Sequence, residues 1–193
     1  MIDVPRRLGA VLLVGAMGLL TGCGATDPSA TANETQDPAP TATTFVPSPA
    51  PVPPAAIAHG GLNGAKAAAQ YWFDALSYAQ QSGDPKPLLS VSTGNCQGCS
   101  QLLASIRAAY AGGGAVSGGW YTVREMTTEE FSDAVPLVSV VFDRDALSIV
   151  GTGGATMQSV PAIPFQTARV RLAYQGRWRV DQVTGMSALG STG

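Results

Sequence analysis

Two cysteines three residues apart, Cys96-Gln97-Gly98-Cys99, form the pair in this sequence best spaced to do chemistry. Such a pair suits three ends. It can be half of a zinc site, because tetrahedral zinc takes four ligands and usually draws them from two such pairs. It can be a redox dithiol, where it follows a strand in a βαβ unit. It can be a structural disulfide, where the compartment is oxidising. A helix and a proline turn come before it, which argues against the redox arrangement. Zinc lacks partners: besides this pair the chain has one cysteine, Cys23, and one histidine, His59.

Other candidates are weaker. Asp74 sits among Tyr71, Trp72, Phe73 and Tyr78, and a carboxylate buried among aromatics can rise into the general-base range. Two positions from Trp72 is about 200° around a helix, however, so Asp74 faces water if Trp72 faces the core. His59 lies beside Gly60-Gly61 without a partner close in sequence, and no Ser-His-Asp order is arguable from it. No phosphate loop, dinucleotide fingerprint or H-E-x-x-H occurs. Arg169, Arg171, Arg177 and Arg179 crowd one hairpin. They would suit lipid headgroups or anionic wall polymers, but a solvated outer face balanced in part by Asp181 is the plainer expectation. Trp72, Tyr78, Trp120, Phe142 and Trp178 are the candidate lining of a pocket. In a core of this size most of them must simply be core.

Cys23 stands apart, behind an apolar run and ahead of a proline-rich tract. Arg6 and Arg7 precede residues 8–20, which are uncharged and apolar. A spanning helix needs about 20 such residues, so this run suits a signal-peptide core instead. Small residues before a cut let a peptidase approach, and a thiol after it is the nucleophile that a lipid transferase alkylates. Leu20-Thr21-Gly22-Cys23 resembles the lipobox of bacterial lipoproteins. The resemblance implies that residues 1–22 are removed and that Cys23 becomes a lipidated N-terminus. The protein would then sit on the extracytoplasmic face of the cell membrane, its partner the membrane itself through Cys23. Two acyl chains hold stably where one holds only marginally. With Cys23 alkylated an even pair of thiols remains, and Cys96–Cys99 is expected to be a disulfide.

Residues 23–59 are a different material. Eight of the fourteen prolines fall between Pro28 and Pro54, with Ala, Thr and Ser between them. Such a stretch has little to bury and reads as a disordered, largely polyproline II tether. Residues 60–187 can hold one core and not two, and residues 188–193 read as a disordered tail. Loss of Asp3, Arg6 and Arg7 takes the net charge from −2 to −3. A mildly acidic chain without a basic cluster is no nucleic-acid binder.

Apolar spacing predicts a helix over 63–82, stopped by Gly83 and kept from resuming by Pro85 and Pro87. A short turn follows near Leu88, Leu89 and Val91. A third helix carries Leu102, Leu103, Ile106, Ala109 and Tyr110, and ends at Gly112-Gly113-Gly114. After Gly119 the period falls to two. One strand begins at Trp120, with Tyr121 and Val123 on one face. A second, VPLVSVVFDRD, is apolar on both faces. Residues 149–159 read as a glycine-rich connection. The last two strands form a hairpin, with Ala168, Val170, Leu172, Trp178, Val180 and Gln182 inward. Only a loop with an odd number of residues sets Leu172 opposite Trp178 or Val180, so a three-residue loop with Gly176 in the left-handed position is expected.

Three helices followed by four antiparallel strands, ending in G-x-W-x-V, resemble the NTF2-like α+β cone, a curved sheet wrapped on helices. AAQYWFDALSYAQQSGDPKPLL, then C-x2-C and a GG-W strand, resembles an uncharacterised family of actinobacterial lipoproteins. The resemblance implies an envelope lipoprotein and brings no activity, cofactor or metal. The expected role is therefore non-enzymatic: a lipid-anchored module that holds an envelope protein or wall component. The alternative is a pocket in the cone for a small apolar ligand, and behind that a carboxylate-dependent enzyme.

Overall fold

The structure, a computed structural model, describes residues 48–130 and 135–189. Cys23, the signal-peptide segment and the tether up to residue 47 lie outside the described residues, as do residues 190–193.

Among the described residues three α-helices precede the strands: α1 (Leu62–Ser82), α2 (Lys86–Val91) and α3 (Gln97–Tyr110). The expected stop of α1 is in place. Gly83 is left-handed, at φ 73°, and its N–H closes on the Ala79 carbonyl at 3.0 Å. The helix buries Ala65, Ala68, Ala69, Trp72, Phe73, Leu76 and Ala79. Alanines on that face let the helix lie close to the sheet, and the large side chains between them fill the space beneath. Asp74 is exposed and accepts from Gln70 Nε2 at 3.0 Å, on the side away from the core.

Seven strands follow: β1 (Ala115–Gly118), β2 (Tyr121–Glu130), β3 (Leu137–Arg144), β4 (Leu147–Val150), β5 (Thr156–Val160), β6 (Ile163–Tyr174) and β7 (Trp178–Thr184). The main sheet is antiparallel in the order β2-β3-β6-β7. Its inner face packs on the helices through Val138, Val140, Ala168, Val170, Leu172, Trp178 and Val180. This is the expected α+β cone of helices on a curved four-stranded sheet. The loop between β6 and β7 has the predicted three residues, with Leu172 opposite Val180 and Gly176 at φ 73°.

Two features depart from expectation. The glycine-rich stretch is not only a connection: β4 and β5 form a hairpin that joins β1 in a second, three-stranded sheet. Gly118 and Gly119, at φ 78° and 81°, turn the corner between the sheets, where the Gly119 N–H donates to the Ala146 carbonyl at 3.0 Å. The register of the last strand also slips. Asp181 is an extra residue in β7, so Val183 and not Gln182 turns inward. Thr93 Oγ1 holds the bulged Asp181 at 2.7 Å.

Both domain boundaries move outward. Residues 51–59, expected as tether, fold onto one end of the main sheet. Ala55–Ala58 make a 3-10 turn that buries Ile57. Three aromatic side chains donate to backbone carbonyls of the segment: Tyr71 Oη to Pro51 at 3.3 Å, Tyr174 Oη to Ala58 at 3.0 Å, and Trp178 Nε1 to His59 at 2.9 Å. A polyproline-like segment has unpaired carbonyls to offer, and buried aromatics with polar tips need acceptors. Gly64 permits the fit, since a Cβ there would lie 2.1 Å from the His59 carbonyl oxygen. At the C-terminus, Leu189, expected in the tail, packs against the core, and its N–H donates to Ser105 Oγ at 3.2 Å.

Candidate functional site

The expected aromatic pocket is not assembled. Trp72 and Trp178 are fully buried in the core, and Trp72 Nε1 donates to Ser92 Oγ at 3.1 Å. Trp120 is 39% exposed at the corner between the sheets. Tyr78 is half-buried on α1. Of the five, Phe142 alone borders a cavity described at the end of the cone. His59 and Asp74 do not reach it, and His59 is engaged through its carbonyl rather than its ring.

That cavity lies where β2 and β6 begin and β3 and β7 end. Tyr121, Phe142, Arg144, Ile163 and Gln166 line it from the sheet, and residues 185–187 line it on the other side. Its volume is about 20 Å³, room for a single water. Phe142 stacks obliquely on Tyr121 and Phe73, with ring centroids 5.5 and 5.1 Å apart, so aromatic carbon makes the floor.

The walls are polar. Gln80, on the last turn of α1, donates from Nε2 to Tyr121 Oη at 3.0 Å, while its own Oε1 is buried without a partner. The Tyr121 N–H is held by Ser77 Oγ at 3.0 Å. Arg144 ends the inward row Val138, Val140, Phe142 and is 3% exposed. Its Nη2 donates to the Pro161 carbonyl at 3.2 Å, and its Nε is buried without an acceptor. Burial pushes the Tyr121 phenol above its ordinary pKa, against smaller opposing effects of Gln80 and the Arg144 cation. The phenol is therefore neutral at physiological pH.

Two bulges flank this spot. β2 carries an extra residue, Arg124, opposite Val141–Phe142. β6 carries another between Ile163 and Gln166, where Phe165 sits at φ 52°, the one non-glycine residue with positive φ among those described. The second bulge keeps Gln166 opposite Phe142 and Ile163 opposite Arg144. Asp143, on the outer face, ties both. Its Oδ1 accepts the Phe165 N–H at 2.9 Å and its Oδ2 accepts Arg124 Nε at 2.8 Å. These bonds, the one from Phe165 foremost, hold the Asp143 carboxyl below its ordinary pKa. Bulges bend a strand and re-aim side chains, and they recur beside functional sites.

Residues 185–189 form a strap between the sheet and α3. Gly185 starts it at φ 80°, so near β6 that a Cβ would lie 2.4 Å from the Thr167 carbonyl oxygen. A cleft of about 290 Å³ lies on the α3 side, lined by Gln97, Gln101, Gln182 and Met186. Another of about 360 Å³ lies under Leu189 beside Ile149 and Met157. Met186 and Leu189 pack against the core, with these clefts on either side of the strap.

Cys96 and Cys99 form the expected disulfide. Cys96 is also the N-cap of α3, its Sγ accepting the Cys99 N–H at 3.2 Å. Both sulfurs are buried, against β7, where a Cβ at Gly98 would meet the Val183 carbonyl oxygen at 2.3 Å. The pair staples α3 to its own first turn and does not face the mouth. Of the hairpin arginines, Arg169 pairs with Glu129 at 3.0 Å across the outer face, the arrangement expected of a solvated surface.

A family model matches residues 35–184, from within the proline-rich tract to the end of β7. The chain belongs to the family of unknown function DUF6318. No curated protein matches the sequence. Among solved structures, one named as a "putative aromatic ring hydroxylase" from Novosphingobium aromaticivorans is 12% identical, with a TM-score of 0.44 over 62% of this chain and 86% of that one. Aln2 from a Streptomyces species is 16% identical, with a TM-score of 0.39 over 62% and 87%. Likenesses this distant transfer no activity, substrate or partner. The DUF6318 match ends at Thr184, so the strap lies just beyond it.

Proposed function

We propose that this DUF6318 protein is a lipid-anchored protein of the extracytoplasmic membrane face whose cone binds a small, largely apolar ligand at its mouth. The observation that carries the binding role is the mouth itself. Phe142, Tyr121 and Ile163 offer apolar surface beside the unpartnered Arg144 Nε, and residues 185–187 line the same slot. Most buried polar atoms are satisfied, as those of Trp72 and Trp178 are, and of the exceptions, which include Gln81 Nε2 and Arg179 Nε, Arg144 Nε is the one that belongs to the mouth's lining. Binding requires the strap to lift, because the closed slot admits only one water. The anchor reading rests on the lipobox at Cys23 and on the resemblance to actinobacterial lipoproteins.

Two measurements test the two halves. Cys23→Ser should move the protein from the membrane to the soluble fraction; unchanged fractionation rejects the anchor. The full-length Cys23→Ser chain, with methyl-labelled methionine, is then titrated with 1-octanol. The Met186 signal should shift and saturate. A Met186 signal that stays fixed up to the solubility limit of the alcohol rejects the ligand-binding reading.

A second reading, a module that holds an envelope protein or wall component, draws support from the closed state of the cone. It predicts the fixed Met186 signal, together with retention by cell-wall fragments. A carboxylate-dependent enzyme draws none, since no Asp, Glu or His lines the mouth among the described residues.

A further inference from the structure

Among the described residues, no carboxylate pairs with Arg144. It is 3% exposed, yet neither ion pair among the described residues, Arg124–Asp143 or Arg169–Glu129, includes it. Asp143 precedes it in sequence but points to the outer face, where Arg124 and Phe165 occupy it. Tyr121 is neutral and cannot serve as counter-ion. A buried cation without an anion is strongly unfavourable, and proteins seldom keep one without a use for it. The slot beside the guanidinium has room for one water and no more.

The surrounding backbone holds Arg144 in this place. Were β6 regular beyond Gln166, Pro164 and not Ile163 would stand opposite Arg144. The left-handed Phe165 inserts the extra residue instead, and the Asp143 carboxylate secures it. Non-glycine residues in that region cost energy and persist where surrounding structure compels them, often at ligand sites.

Building on the cone-mouth reading above, we propose that the ligand is an amphiphile with a carboxylate head. The carboxylate accepts from Arg144 Nε and from the Tyr121 hydroxyl, and the apolar tail replaces Met186 against Phe142 and Ile163. A carboxylate fits better than a phosphate for two reasons. One cation faces the slot, which matches one negative charge and not two. The guanidinium is planar, and so is the carboxylate that would lie between it and the aromatic floor.

The test uses the full-length Cys23→Ser chain and three probes of equal tail length, octanoate, 1-octanol and octyl phosphate, followed by calorimetry and the Met186 methyl signal. Octanoate should bind about tenfold or more tightly than the alcohol, the gain expected of a charge-assisted hydrogen bond in a dry site. Arg144→Met should abolish that difference. Should Arg144→Met fail to fold by circular dichroism, the ratio in the unsubstituted mouth still decides. Equal affinities for octanoate and octanol overturn the carboxylate and leave the cone-mouth reading standing. Tighter binding of octyl phosphate than of octanoate overturns the choice of head group. Binding of none of the three overturns the reading on which this inference rests.

Discussion

The two ends of the main sheet are each covered by a terminal segment, and they are built on opposite terms. At one end residues 51–59 lie over Trp178 and Tyr174. There the aromatic polar tips have acceptors, Trp178 Nε1 on the His59 carbonyl and Tyr174 Oη on that of Ala58, while Arg179 Nε beside them is buried without a partner among the described residues. At the other end residues 185–189 lie over Tyr121 and Arg144. There Arg144 Nε is buried without a partner among the described residues, and Phe165 is held in a strained conformation. The first end is a seal and the second a closure that something else can complete. Local rules of packing and polar satisfaction hold throughout a stable core and are relaxed where a protein acts.

Substitutions at the two ends should separate these terms. The largest effect belongs to the sealed half. Trp72→Ala removes a fully buried ring and strips Ser92 of its donor, so unfolding in urea should show a loss of about 3–5 kcal/mol. A loss under about 1 kcal/mol would mean that the helix does not pack as described. Next comes the staple on α3. Replacing Cys96 and Cys99 together by serine should cost about 2 kcal/mol by loop entropy, and the same loss should follow reduction of the native protein. A larger loss would give the pair a role beyond one helical turn.

Asp143 supplies a smaller effect with a pH signature. Its folded pKa is depressed, so its contribution is present above the unfolded value and is lost as pH falls through the folded one. Melting temperature should therefore fall in acid, below about pH 4, with a slope that Asp143→Asn reduces. Identical slopes would detach Asp143 from the bulges. Smallest is Arg144→Met. Removing a buried, unpaired cation should leave stability within about 1 kcal/mol of the parent or raise it. A loss as large as that of Trp72→Ala would make Arg144 a structural residue and erase the contrast between the ends.

Much of the sealed half is legible in the sequence. The spacing of Ala68, Trp72, Leu76 and Ala79 marks the buried face of α1. Parity alone identifies the three-residue loop after Tyr174, because apolar faces must match across a hairpin. The mouth is not legible, for physical reasons. Its register depends on bulges, and a bulge shifts which residues face inward without changing composition; Val183 replaces Gln182 that way. Arg144 continues the inward row from Val138 in steps of two, so alternation points to it, but a charge at a strand end reads as solvent-facing. The second sheet hides behind glycines at 151, 153 and 154 that make its hairpin turn. Residues 51–59 hide behind proline, whose polyproline form suits a free stalk and a docked one equally.

That docked stretch sets where the domain can be trimmed. A chain begun at Gly60 keeps every described strand and α-helix but loses the 3-10 turn with Ile57 and three carbonyl acceptors, those of Pro51, Ala58 and His59. It would strand the indole of Trp178 in an oily interior. Hydrogen-bond accounting, rather than the point where proline gives way to helix, draws the outer margin of this protein.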